Sequence, residues 1–182
     1  MNIEDRRVRK TKKALREGLA ELMLEKELRG ITVRELTDKV DIHRATFYAH
    51  YKDIFDLYEH MEDAVIDELS AIIVSAPAHS NDGVFNAMMD YVQNNANLCR
   101  VFFGNYSFYE RISAFLEDKY LEIFQSEMGK AEISKEWRFI VRYHLQGCLA
   151  MIDCWVEEDF AYPKEQLTRI IMKADENMDK LL

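Results

Sequence analysis

Apolar residues recur every three or four positions along almost the whole chain, the spacing of one buried face on successive helices. Val8, Thr11, Leu15, Leu19, Leu22 and Met23 share a face of a first helix, and Gly30 is the residue that stops it. Thr32-Val33-Arg34-Glu35 has the form of a capping box, in which hydroxyl and carboxylate satisfy orphan N–H groups reciprocally. It opens a short helix over 33–39. A turn follows at Val40-Asp41-Ile42, then a second short helix over 43–49. Asp53 is placed to cap a long fourth helix reaching about residue 74, with Phe55, Tyr58, Met61, Val65, Leu69 and Ile72 as its apolar stripe. The breaker-rich stretch 75–83, with Pro77 and Gly83, interrupts the pattern. Further helices are predicted over 83–96, 98–103, 106–128, 135–158 and 164–181, with Pro163 suited to the first turn of the last. The expected architecture is all-α. A three-helix helix-turn-helix head spans 1–53, a connecting helix and linker 54–77, and a helical body 78–182.

Composition agrees. Of the 182 residues, 48% are hydrophobic, enough for a core, and the 6 Gly and 2 Pro are too few for a turn-rich β protein. No apolar run is long enough for a membrane span, and MNIEDRRVRKTKK lacks the apolar stretch of a signal peptide. A cytoplasmic protein without membrane contact is expected. Cys99, Cys148 and Cys154 are odd in number, form no CxxC, and are expected to be reduced.

The net charge of −9 conceals an asymmetry. Residues 1–52 hold 13 Lys and Arg against 9 Asp and Glu, while the rest hold 11 against 24. A basic head on an acidic body suits a polyanionic partner for the head alone, although a solvated basic helix face has the same composition.

Two short helices joined by a tight turn, the second polar and basic outside, form a helix-turn-helix. Val33, Leu36, Val40, Ile42 and Phe47 are the inward set. Arg34, His43, Arg44, Thr46, Tyr48 and His50 remain outside, with Lys52 just beyond. Such a helix fits the DNA major groove, where Arg reads guanine and Thr touches the thymine methyl. Tyr48, His50 and Lys52 stand where side chains reach phosphates. The run Arg6, Arg7, Arg9, Lys10, Lys12, Lys13 is either a further phosphate or minor-groove contact or a solvated helix start.

The stretch ITVRELTDKVDIHRATFYAHYKDIFDL resembles the DNA-binding signature of the TetR family of bacterial transcription regulators, and the likeness covers roughly residues 6–65. It implies an Ω-shaped all-α homodimer with an N-terminal operator-binding domain and a C-terminal ligand-binding and dimerisation domain. It implies that Thr32 binds a phosphate, that Arg44 and Thr46 face bases, and that Tyr48 and His50 touch backbone or bases. Three positions depart from the pattern. Asp41 stands where Gly is frequent, His43 where Ser is frequent, and Ile54 where Lys is common, so a phosphate contact is missing or passes to Lys52. HYKDIFDL is also similar to the subgroup that regulates dihydroxyacetone kinase genes.

In the body, Trp137, Ile140, Val141, His144, Cys148, Met151, Ile152 and Trp155 make one apolar face. His144 and Cys148 are i,i+4, but a metal site needs three or four ligands and no others are evident; a hydrogen-bonded core histidine is expected, with no metal and no cofactor. The small residues Gly147, Ala150 and Cys154 lie on a neighbouring face. With Leu167, Ile171 and Met178 of the last helix they are the candidate interface of a homodimer built as a four-helix bundle. Met88, Tyr91, Phe103 and Tyr106, with Ile140, His144 and Met151, are candidates to line an effector pocket, although each one taken singly reads more readily as ordinary core. No GxSxG, HExxH, phosphate-cradling glycine loop or CxxC occurs, so no enzyme is expected. The reading is a sequence-specific DNA-binding transcription regulator, a repressor under small-molecule control. The alternatives are a ligand-dependent activator, or a helix-turn-helix protein acting mainly through protein partners.

Overall fold

The computed structural model describes residues 3–75, 81–127 and 134–178. The described residues form nine α-helices and one 3-10 turn, with no strand among them. In order these are α1 (Ile3–Glu25), the 3-10 turn (Leu28–Gly30), α2 (Val33–Lys39), α3 (Arg44–Tyr48), α4 (Ile54–Ser75), α5 (Asn81–Asn94), α6 (Ala96–Phe103), α7 (Tyr106–Glu127), α8 (Lys135–Glu157) and α9 (Lys164–Met178). Every expected helix is present, with ends moved by a few residues. The break expected over 75–83 lies outside the described residues at 76–80, and α5 takes in Gly83. No described helix is long and apolar enough to cross a membrane.

In the head, Leu15, Leu19 and Leu22 of α1 are buried against Leu36 of α2 and Phe47 of α3. Lys26 binds Glu35 at 2.6 Å and Lys39 binds Glu21 at 2.9 Å, so α1 and α2 run in opposite directions. Thr32 caps α2 as expected, its Oγ1 accepting the Glu35 N–H at 3.2 Å. Lys26, with help from the Thr32 backbone N–H, holds the Glu35 carboxyl below its ordinary pKa. Asp41 sits at φ 52°, the left-handed turn position where Asp is better tolerated than most residues.

The inner face of α4 differs from the expected stripe at its start. Ile54, Leu57, Tyr58, Met61, Val65 and Leu69 are buried, whereas Phe55 is exposed. Spacing alone allowed either neighbour. The turn at Asp53 decides it, pointing Ile54 inward and rotating Phe55 away from the core.

The described residues pack into three apolar clusters. The largest runs from α1 through α4 to Leu98, Phe102, Phe108, Ile112 and Leu116, and so crosses from head to body. A second joins Met89 and Val92 of α5 to Trp155 of α8 and Leu167 and Ile171 of α9. A small third pairs Leu121 with Val141. Head and body therefore meet through direct packing of α1 on α6 as well as through α4.

Candidate functional site

The second motif helix, α3, is five residues long and buries one side chain, Phe47. The Phe47 ring packs on Tyr51 at 5.7 Å between centroids and edge-on to Tyr48 at 5.4 Å. Anchoring through a single aromatic leaves the opposite side of so short a helix to solvent. Arg44 and Tyr48 are exposed, Tyr48 by 58%, while Thr46 is half-buried. His43 occupies the N-cap, is exposed, and makes no capping bond with its side chain, unlike the usual Ser.

The remaining candidates flank α3. Thr32 and Arg34 are exposed at the start of α2, Arg34 lying 3.5 Å from Asp38. His50 is half-buried beside Tyr51, and Lys52 is exposed. The Lys52 backbone N–H donates to Asp56 at 2.8 Å, and the Asp56 N–H donates to Asp53 at 2.9 Å. The first turn of α4 is thus closed by two carboxylates. Ile54, where the resemblance has Lys, is a packing residue only 4% exposed. Its apolar, buried side chain offers no hydrogen-bond donor to a phosphate.

Arg6, Arg7, Arg9, Lys10, Lys12 and Lys13 are all exposed on α1 ahead of its first buried residue, Leu15. Arg6, Arg9, Lys10 and Lys13 fall on the side opposite the core face, at the i, i+3, i+4, i+7 spacing of one stripe.

The seven pocket candidates are spread over more than one cluster. Met88 and Tyr91 pack against the first cluster, Met151 against the second, Phe103 against both, and Ile140 against the third. Tyr106 is 78% exposed. Asn105 accepts the N–H groups of Ser107 and Phe108 at 2.9 and 3.2 Å, and this cap turns Phe108 inward and Tyr106 outward.

His144 is a hydrogen-bonded core histidine. Its Nε2 lies 3.1 Å from Asp175 Oδ1 and 3.5 Å from Cys148 Sγ, and the Tyr120 hydroxyl donates to the same Asp175 oxygen at 3.2 Å. Burial opposes its proton, but the bonds to Asp175 and Cys148 outweigh burial and raise its pKa to about 9. Among the described residues no group of three or more His, Cys, Asp or Glu is arranged to hold a metal ion. All three cysteines are free thiols, and burial pushes Cys99 up to about 12.

The interface candidates divide. Gly147, Ala150 and Cys154 are exposed on α8, but Leu167 and Ile171 are 7% and 1% exposed and belong to the second cluster. They lie inside the chain's own core because α9 turns its Leu167, Thr168, Ile171 and Asp175 side toward α5 and α8, leaving Ile170 and Ala174 outward. For Met178 the helix is described, but the side chain lies outside the described residues. The outward side of α8 also carries Phe139 and Tyr143, 75% and 77% exposed. With Gly147, Ala150 and Cys154 they form one stripe with four-, four-, three- and four-residue steps. The same periodicity makes them readable in the sequence, where aromatic residues are too easily assigned to the core.

Polar ties along α4 have no such signal. Asn105 Nδ2 donates to the Tyr58 hydroxyl at 2.7 Å, Arg111 of α7 pairs with Glu62 and Asp63, and Glu68 accepts from Arg16 of α1 and Tyr91 of α5.

The protein family described as Transcriptional regulator C-terminal region matches residues 81–175. The HTH-type transcriptional regulator YxbF of Bacillus subtilis (strain 168) is 38% identical over 78 residues, which are 40% of this chain and 20% of that relative. The match thus spans about a fifth of the relative's length. Among solved structures, the dihydroxyacetone kinase operon activator DhaS superposes with a TM-score of 0.67 at 16% identity, over 93% of this chain and 96% of its own. A tetR-family transcriptional regulator from Streptomyces coelicolor gives 0.68 at 15%, over 100% and 88%. FadR from Bacillus subtilis, in complex with stearoyl-CoA, gives 0.59 at 16%, over 91% and 96%. At these identities the structural likeness is one of fold.

Proposed function

The chain belongs to the TetR family of transcriptional regulators, and from that membership we propose that it is a homodimeric repressor which reads a double-stranded operator with α3 and answers to a small-molecule effector in its body. The single observation that carries the reading is the division of α3 into one buried anchor, Phe47, and an outer side bearing Arg44 and Tyr48. In a major groove Arg44 would bond guanine O6 and N7, and Thr46 would meet bases beside it. Tyr48, His50 and Lys52 would hold the flanking phosphates, with Thr32, Arg34 and His43 from the other side of the turn. With Ile54 buried, Lys52 takes the phosphate role that Lys has elsewhere in the family.

Residues 1–53 are the reading head, 54–77 the connection, and 78–182 the part that dimerises and senses. The Phe139–Tyr143–Gly147–Ala150–Cys154 stripe supports pairing of α8 with its copy, because a monomer would leave two aromatic rings on an open helix face. The FadR neighbour is a complex with stearoyl-CoA, which supports an effector for this fold. Here the effector would act through α4, which at ~1.5 Å per residue spans roughly 33 Å between head and body.

Selection of bound sites from random-sequence duplexes, followed by footprinting, tests the reading. The expected product is an inverted repeat with half-sites one helical turn or a multiple apart, about 34–36 Å per turn. Failure to enrich any sequence would overturn it.

A further inference from the structure

We propose that Glu68 is a positioning residue for DNA binding, a single carboxylate that sets the head against the body through competition between Arg16 and Tyr91. The proposal rests on the operator-reading function above and says which residues fix the angle of the reading head.

Glu68 lies in the second half of α4, between the buried Val65 and Leu69. Its Oε1 accepts from Arg16 Nη1 at 2.7 Å. Its Oε2 accepts from the Tyr91 hydroxyl at 2.8 Å and from Arg16 Nη2 at 3.3 Å. The guanidinium–carboxylate fork is therefore lopsided, and its long arm falls on the oxygen that Tyr91 shares. A symmetric fork is the strong arrangement for this pair, and the oxygen at its long arm is the one that Tyr91 also bonds.

Arg16 leads back to the recognition helix. It follows Leu15 on α1, and Leu15 is buried in one cluster with Tyr51 and with Phe47, the one buried side chain of α3. The other ties along α4, Tyr58 to Asn105 and Glu62 with Asp63 to Arg111, reach only the α6–α7 turn and α7. Among the described residues Glu68 is where α1, α4 and α5 meet at one group. Whatever moves α5, or takes the Tyr91 hydroxyl for its own hydrogen bond, frees Oε2, closes the fork and draws α1 toward α4. Packed elements respond to such a change by switching arrangement rather than by stretching.

The test uses the full-length protein, an operator duplex recovered by selection, and a scrambled duplex of equal length. Tyr91→Phe deletes one oxygen and leaves the ring in place. It is expected to shift operator affinity by about 5-fold or more, the lower end of ordinary coupling between sites, with scrambled-duplex affinity unchanged. Arg16→Lys cannot form a fork, so Tyr91→Phe in that background is expected to shift nothing. Glu68→Gln, close in shape but uncharged, is expected to remove the response to Tyr91→Phe in the same way. Melting temperatures report any purely structural loss, which would lower stability without changing the operator-to-scrambled ratio. Equal operator affinity for wild type and Tyr91→Phe, or additive effects of Tyr91→Phe and Arg16→Lys, would overturn the role of Glu68 while leaving operator reading intact. A wild-type protein with no preference for the selected duplex would overturn the function and this role with it.

Discussion

The α-carbon of Gly18 lies so close to Val40 that a β-carbon built on it would stand 2.3 Å from Val40 Cγ1. Here α1 packs closely on the end of α2, with Leu36 also within reach, just before the turn at Asp41. A short, β-branched side chain such as Val40 has little room to move aside.

Gly18→Ala is therefore expected to destabilise the protein by ~1–3 kcal/mol through overpacking, although Ala is the better helix former. Adding Val40→Ala should recover part of the loss. Denaturant midpoints of the two single variants and the double variant check this, and strictly additive losses would deny the contact.

His144 and Asp175 tie α8 to α9, and their bond makes stability depend on pH. The folded pKa of His144 is raised from 6.5 to about 9. A raised pKa in a cation means that the stabilisation is whole below about pH 6.5 and is lost as pH climbs through about 9. The loss is on the order of 3 kcal/mol for a shift of this size. Denaturation midpoints across that window should fall for wild type and stay flatter for His144→Gln. Tyr120 and Cys148 share the cluster, so Cys148→Ala should lower the upper pH limit of the effect.

Apart from its own stretch of helix, no described atom lies within 4 Å of a β-carbon built on Gly147, so a single chain tolerates a side chain there. In a helix interior replacing Gly gains ~1 kcal/mol of intrinsic propensity. Gly147→Arg is thus expected to yield a well-folded monomer, because the side chain strikes only the second copy. Sedimentation velocity decides it, and an undiminished dimer would move the interface off α8.

The helices and the helix-turn-helix were legible because local rules agree there. Thr32 as a cap, Asp41 as a left-handed turn and Phe47 as an inward anchor each follow from residue type and spacing. The pattern is ambiguous where neighbouring positions of one helix are both apolar. On α4 either Ile54 or Phe55 can face inward, and on α9 the adjacent Ile170 and Ile171 fit one apolar stripe although only Ile171 is buried. Periodicity fixes the angle between residues, not which side meets a neighbour. The Arg16–Glu68–Tyr91 junction was not legible at all, since its members stand 52 and 23 residues apart.

The central claim is that the outer side of α3 reads DNA sequence, and Arg44→Ala tests it most directly. Operator and scrambled-duplex affinities of wild type and variant are measured at one salt concentration. The account predicts a loss of ~1–3 kcal/mol for the operator with relaxed specificity at one base position, an unchanged melting temperature, and little change for scrambled DNA. Tyr48→Ala should weaken both duplexes, as expected of a phosphate contact. Wild-type operator affinity in the Arg44→Ala variant would contradict the account.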